Sequence, residues 1–178
     1  MSLQALLDMV PNKLSDNKVI TPYHIAEEMV NSVLNNIDLD LETTFLDPVC
    51  KSGIFLKILY DKLMAHPVLV NSFEKPEDRS NHILDKMIYG IALDETCQLI
   101  TQRLLYGRVT DGGNIIYIRN YIKSVIDKQY EKVQQAIEKE LNRDMKRFGV
   151  IIGNPPYQEA TGGGHALSQY TETFLKVV

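Results

Sequence analysis

Four consecutive residues, Asn154, Pro155, Pro156 and Tyr157, have the types and spacing best suited to chemistry on an amine. They follow an apolar run, residues 148–152, which predicts a buried strand that stops at the two prolines. Proline fixes its own φ and lacks an N–H, so this loop is stiff and offers carbonyl acceptors without competing donors. The Asn154 amide oxygen and the Pro155 carbonyl could accept two amine hydrogens, and Tyr157 could stack on an extruded base. A plain Pro-Pro turn with a surface tyrosine is the alternative interpretation.

A second block of residues, 47–55, has the types suited to binding a ligand. It reads Asp-Pro-Val-Cys-Lys-Ser-Gly-Ile-Phe. A short strand leads into it and a helix continues from it, which is typical of a turn that cradles a nucleotide-like cofactor. Small residues let the backbone approach a ligand, and the N–H groups at the helix N-terminus point at an anionic end. Upstream, Thr21 fits a helix N-cap and Pro22 fits the first helical position.

Three motifs, in this order along the chain, resemble those of one enzyme family. Residues 21–22 resemble the Thr-Pro block of the γ-type motif order, and residues 47–55 resemble the Asp-Pro-x-Cys-Gly-Ser-Gly-x-Phe cofactor loop. Residues 154–157 resemble the catalytic loop of adenine-specific (N6) DNA methyltransferases, which use S-adenosylmethionine. Residues 158–174, with a triple glycine, resemble the segment that follows this loop in Eco57I-like restriction–modification methylases. The resemblance covers nearly all of residues 17–178.

This resemblance implies methyl transfer from S-adenosylmethionine to the N6 amine of adenine in DNA, as the modification component of a restriction–modification system. It implies a catalytic loop in which Asn154 and Pro155 accept the two N6 hydrogens of a flipped adenine and Tyr157 stacks on the base. The implied cofactor contacts are Thr21, Pro22, Asp47, Pro48, Cys50, Lys51, Ser52, Gly53, Phe55, Asp94 and Asn120.

Two residues depart from the family pattern. Lys51 stands where most members carry glycine, and lysine tolerates a positive φ less well. Its ammonium either pairs with the cofactor carboxylate or is merely exposed to solvent. Ala92 stands where many relatives carry an acidic residue that binds the ribose. Asp94 or Glu95 could reach the ribose instead, although Asp94 also fits a helix cap.

The alternation of predicted strands and helices indicates an α/β fold with a doubly wound parallel sheet. The family resemblance makes this a Rossmann-like methyltransferase fold, with strands near Phe45, Ile91, Ile116 and Ile151 in the spatial order 3-2-1-4. The fourth strand is expected at a sheet edge.

The predicted segments are a Thr-Pro helix at 17–37, a cofactor half at 43–122, a long charged helix at 122–147, and the catalytic loop with a following helix at 148–178. Residues 66–81 are predicted to form a polar connector. The Thr-Pro helix should bury an apolar face made by Ile25, Met29, Val30 and Val33.

The 178 residues suit one α/β domain, and their net charge of −4 is the wrong sign for an independent DNA-binding surface. We therefore expect double-stranded DNA to bind through a recognition domain absent from this chain. On this interpretation the chain is the N-terminal part of a methyltransferase catalytic domain and is inactive alone. A restriction nuclease of the same system is a further expected partner. Cys50 and Cys97 lack metal-site spacing, and no apolar run reaches the ~20 residues of a membrane span, so a cytoplasmic, metal-free protein is expected.

Two other functions remain open on the sequence. Protein-glutamine N5-methyltransferases also use Asn-Pro-Pro-Tyr, but they carry Asp-Leu-Gly-Thr-Gly-Ser-Gly in the cofactor loop and lack the Thr-Pro helix. The departures at Lys51 and Ala92 also fit a noncatalytic methyltransferase-like module that binds DNA or a partner.

Overall fold

A parallel sheet of four strands organises the chain, in the spatial order β3-β2-β1-β4. The structure, a computed structural model, describes residues 20–141 and 148–154. Within them the strands are β1 (Phe45–Cys50), β2 (Ile88–Ala92), β3 (Ile115–Tyr117) and β4 (Val150–Ile151). β1 pairs in parallel with both β2 and β4, and β2 pairs in parallel with β3. The predicted α/β class and strand order are confirmed, and β4 lies at one end of the described sheet.

Helices cover both faces of this sheet. In the described residues they are α1 (Tyr23–Leu34), α2 (Ile54–Ala65), α3 (Pro67–Ser72), α4 (Pro76–His82), α5 (Glu95–Tyr106), α6 (Tyr121–Ile126) and α7 (Tyr130–Leu141). A π-helical turn, Ile83–Met87, leads directly into β2. Helices α1, α2 and α5 contribute to the core on one face, and α6 and α7 contribute to the core on the other.

The central strand β1 is buried along its whole length, as a strand covered on both faces must be. Phe45 and Cys50 belong to the core shared with α2 and α5, whereas Leu46 and Val49 belong to the core shared with α6 and α7. The register of β1 against β2 shifts between Asp47 and Cys50. This irregularity falls where the strand passes into the candidate cofactor loop.

The prediction of one long helix over 122–147 is wrong. Helix α6 ends at Ile126, and α7 begins only at Tyr130. Lys128 has a φ of 57° and donates its N–H to the carbonyl of Val125. Gln129 donates its N–H to the carbonyl of Ser124, so the two bonds together make a Schellman ending. A lysine rather than a glycine takes the left-handed position, which is why composition did not reveal the break.

Two predictions about other helices are also wrong. Residues 66–81 are not a polar connector, because Pro67 and Pro76 open the short helices α3 and α4 at positions that need no N–H. In α1 the buried apolar residues are Ala26 and Val30. Ile25 and Met29 are instead 39% and 38% exposed, so the buried stripe is narrower than predicted.

The start of α1 also differs from the prediction. The helix begins at Tyr23 and Pro22 occupies the N-cap position, with its carbonyl accepting the N–H of Ala26 at 3.1 Å. Thr21 therefore lies one residue before the cap and does not cap the helix. Its hydroxyl is left for another partner.

Candidate functional site

The turn after β1 has the backbone shape of a cofactor cradle. Gly53 has a φ of 75° and occupies the N-cap of α2. A Cβ added to Gly53 would lie 2.7 Å from the Thr101 methyl group on α5, so glycine is required by both conformation and space. Among the described residues, only two that are not glycine have a positive φ, Asn120 and Lys128. Lys51 therefore replaces the family's glycine at a position where the backbone does not need one.

A recess at the carboxyl ends of β1 and β4 brings together the turn, the segment before α1 and the start of the catalytic loop. Such an edge is where open α/β sheets hold their ligands. The recess is lined by Ile20, Thr21, Asp47, Val49, Lys51, Ser52, Gly53, Ile54, Phe55 and Asn154. Seven of the predicted site residues are thus neighbours in space, although they come from three separate parts of the sequence.

Asp47 is the buried acid of this recess, with only 2% of its surface exposed. Its Oδ1 atom accepts the N–H of Val49 at 3.0 Å. Burial raises the pKa of Asp47 to about 7, and the Val49 hydrogen bond and the Lys51 charge oppose that rise only in part. The carboxyl group therefore ionises near neutral pH. A cationic ligand group beside it would favour the ionised form.

Lys51 supplies a cation to the same recess. Its side chain is half-buried, and burial lowers its pKa, while the nearby Asp47 acts in the opposite direction. A partly desolvated ammonium attracts an anion more strongly than a fully hydrated one does. The expectation that Lys51 is merely exposed to solvent is therefore not what the structure shows.

Asn154 reaches the recess from the end of β4. The ladder continues past that strand, because the N–H of Ile152 bonds to the carbonyl of Leu46 at 2.9 Å. The side chain of Asn154 then donates from Nδ2 to Oγ1 of Thr21 at 3.1 Å, across 133 positions of sequence. The two ends of the predicted motif order, Thr21 and Asn154, are therefore in direct contact.

Gly153 is a residue of the site that the sequence reasoning missed. A Cβ added there would lie 2.5 Å from Oδ1 of Asp47 and 3.4 Å from Pro48. The chain just before Asn154 can pass this close to the predicted cofactor loop only because Gly153 has no side chain. The glycine before Asn154 was visible in the sequence, but its neighbour Asp47 was not.

The remaining predicted cofactor residues do not line the recess. Pro22 is exposed, and Pro48 and Cys50 are buried. Asp94 follows β2 and caps α5, accepting the N–H of Cys97 at 2.9 Å, so the helix-cap interpretation is confirmed. Asn120 follows β3, is exposed, and has a φ of 60°. Asp94 and Asn120 stay predictions as cofactor contacts, at the same edge of the sheet as the recess.

Three predicted catalytic residues, Pro155, Pro156 and Tyr157, lie outside the described residues. Within the described parts of the chain, no three side chains of His, Cys, Asp or Glu group as metal ligands would. No helix there is long and apolar enough to cross a membrane.

The parallel order 3-2-1-4, with a glycine turn after the central strand and a recess at its carboxyl end, is that of a Rossmann-like methyltransferase fold. The family model of the Eco57I restriction-modification methylase matches residues 86–177, just over half of the chain. The chain therefore belongs to the Eco57I restriction-modification methylase family. Membership implies DNA methyltransferase activity within a restriction–modification system.

The matched residues contain β2, β3, β4 and the catalytic loop, but neither Thr21 nor the block at 47–55. The assignment of those two motifs to the site thus depends on their contacts with Asn154 in the structure. A comparison with curated proteins found no match.

Proposed function

We propose that this chain carries the catalytic centre of an adenine-N6 DNA methyltransferase that uses S-adenosylmethionine. The observation that carries the proposal is the shared recess, in which Asn154 lies against Thr21 and beside the loop of Asp47 and Gly53. A carboxamide at the end of a strand is an uncharged acceptor, which suits an amine substrate.

The residues of the recess fit the chemistry of this cofactor. S-adenosylmethionine carries one carboxylate and two cationic groups, and when bound it supplies an activated methyl group on its sulfonium sulfur. Lys51 and the N–H groups at the start of α2 would hold the carboxylate, because both present positive charge to the recess. Asp47 would hold a cationic group, which would draw the proton off its carboxyl. Ser52 and Phe55 add a hydroxyl and a ring to the wall.

The catalytic loop is proposed to activate the amine through hydrogen bonds alone. Oδ1 of Asn154 and the carbonyl of Pro155 would each accept one N6 hydrogen, which would free the nitrogen lone pair from the adenine ring. Pro156 would keep the loop stiff, and Tyr157 would stack on the extruded base. The roles of Pro155, Pro156 and Tyr157 are supported by the sequence motif.

Double-stranded DNA is the proposed substrate, held mainly by a recognition domain outside residues 1–178. The net charge of −4 supports this arrangement, because a duplex is bound largely through Lys and Arg contacts to phosphate. A restriction nuclease of the same system is the proposed functional partner.

The test is methyl transfer by the natural protein that carries this chain. Genomic DNA free of N6-methyladenine would be incubated with methyl-tritiated S-adenosylmethionine, and the product identified by digestion to nucleosides. Asn154→Ala should lower the rate by about 10²–10³, the usual cost of a lost transition-state hydrogen bond. Cofactor affinity should change little. Asn71→Ala is the matched control, since Asn71 is an exposed residue of α3.

The outcomes separate the proposal from its rivals. Label in N6-methyl-2′-deoxyadenosine from the digested DNA supports the proposal. Label on glutamine of added protein, with none on DNA, would favour the protein-glutamine methyltransferase. Tight DNA binding without any transfer would favour the noncatalytic module. A full rate for Asn154→Ala would contradict the assignment of the catalytic loop.

A further inference from the structure

The hydroxyl of Thr21 has an unexpected partner. Thr21 does not cap α1, and its Oγ1 atom instead accepts a hydrogen bond from Nδ2 of Asn154 at 3.1 Å. Thr21 is only 9% exposed, so little water competes for this bond. A local sequence motif cannot predict a hydrogen bond between two side chains this far apart in sequence.

The direction of this bond matters for an amine substrate. A carboxamide has one acceptor end and one donor end, and rotation by half a turn exchanges them. With Nδ2 engaged by Thr21, Oδ1 is the end left for a substrate N–H. In the reversed orientation Nδ2 would face the amine, and two donors would oppose each other.

The backbone that leads into Asn154 is held by its neighbours. Ile152 bonds to Leu46, and Gly153 packs directly against the Asp47 carboxyl. These contacts leave the side-chain torsions of Asn154 undetermined. Threonine suits the task of fixing them, because its branched Cβ restricts its own rotamer.

We propose that Thr21 is a positioning residue for catalysis: its hydroxyl holds the Asn154 amide with Oδ1 directed at the amine to be methylated. This inference rests on the function proposed above. It gives Thr21 a task distinct from lining the cofactor pocket.

The first test measures the hydrogen bond itself and needs no activity. In a ¹⁵N-correlated NMR spectrum of the 178-residue chain, the side-chain NH₂ signals of Asn154 are those that vanish in Asn154→Ala. Thr21→Val removes the hydroxyl and keeps the shape of the side chain. It should shift these signals and speed their exchange with water severalfold, whereas Thr21→Ser should leave them close to those of the native chain. Unchanged signals in Thr21→Val would overturn the proposal.

The second test uses the natural protein in single turnovers at saturating S-adenosylmethionine. Thr21→Val should slow transfer by about 10- to 100-fold, the scale of a misplaced catalytic group, with cofactor affinity changed by less than about threefold. Thr21→Ser should restore most of the rate. When Asn154→Ala is already present, adding Thr21→Val should slow transfer by less than about twofold, because the residue through which Thr21 acts is gone.

Three results of the second test would overturn the inference: a normal rate for Thr21→Val, an undiminished effect of Thr21→Val in the Asn154→Ala background, or a loss of cofactor affinity with a normal rate at saturation. The last would make Thr21 a cofactor-binding residue only. A full rate for Asn154→Ala would instead overturn the proposed function as well.

Discussion

At the scale of a single residue, folding changes the chemistry of Asp47 in a way that suits ligand binding. Its carboxyl is almost fully buried and accepts one backbone N–H from Val49. One hydrogen bond and the nearby Lys51 charge do not replace the water that the carboxylate lost, so its pKa rises to about 7. A cationic ligand group would complete its environment.

Replacement of Asp47 should therefore weaken cofactor binding. Asp47→Ala removes the acceptor, and loss of a hydrogen bond to a charged group costs about 1.5–3 kcal/mol, or roughly 10- to 150-fold in affinity. Calorimetric titration of the chain with S-adenosylmethionine measures this change. Asp38→Ala, at an exposed aspartate, is the control. Equal affinity in the Asp47→Ala variant would remove this carboxyl from the cofactor site.

At the scale of elements, the site depends on how closely β4 and its loop approach β1. The N–H of Gly149 and that of Val150 bond to Thr44, and that of Ile152 bonds to Leu46. The loop then passes the Asp47 carboxyl at Gly153. The predicted cofactor loop is therefore tied to the chain just before Asn154 by backbone hydrogen bonds and direct packing.

Gly153→Ala should separate these two loops. The new methyl group would lie 2.5 Å from Asp47 Oδ1, and such overpacking typically costs about 1–3 kcal/mol. Urea unfolding should show that loss, and single-turnover methylation should slow in parallel. Gly112→Ala is the matched control, because its added Cβ meets nothing within 4 Å and its φ is not positive. Similar stability of the two variants would show that the loop adjusts without cost.

At the scale of the whole molecule, the Asp47 proton links stability to pH. The unfolded chain releases this proton near its ordinary pKa of 3.8, whereas the folded protein keeps it up to about pH 7. The folded state thus binds more protons between these values, so the contribution of Asp47 to stability is present below pH 4 and is lost as the pH rises to 7.

The substitution Asp47→Asn should remove this loss while it keeps the size of the side chain. Relative to the native chain, the free energy of unfolding of Asp47→Asn should increase between pH 4 and 7 and then level off. This increase in the free energy of unfolding relative to the native chain should be about 1.4 kcal/mol for each pH unit and should reach at most roughly 4 kcal/mol. Urea unfolding at pH 5 and pH 8 measures it. A pH-independent difference between the two proteins would show that Asp47 titrates normally.

The alternation of strands and helices in the amino-acid sequence predicted the fold class, and the family resemblance of its motifs implied the strand order and most of the recess. The apolar runs near Phe45, Ile91 and Ile116 predicted strands, because a strand covered on both faces must be apolar whatever its neighbours are. The run at 148–152 predicted a buried strand as well, but β4 comprises only Val150–Ile151 and is half-buried, since it lies at the end of the described sheet. The motif order placed Thr21, residues 47–55 and Asn154 in one site. Local chemistry was sufficient where the local backbone alone sets the geometry, as at the Asp94 cap.

Tertiary structure decided the rest. The hydroxyl of Thr21 serves Asn154 rather than α1, the pKa of Asp47 depends on what buries it, and Gly153 is needed only because Asp47 lies beside it. The left-handed Lys128 likewise breaks a helix that its sequence favours. For Thr21, Asp47 and Gly153 the decisive free energy comes from packing between segments far apart along the chain or from burial, and neither is encoded in the propensity of a short stretch of residues.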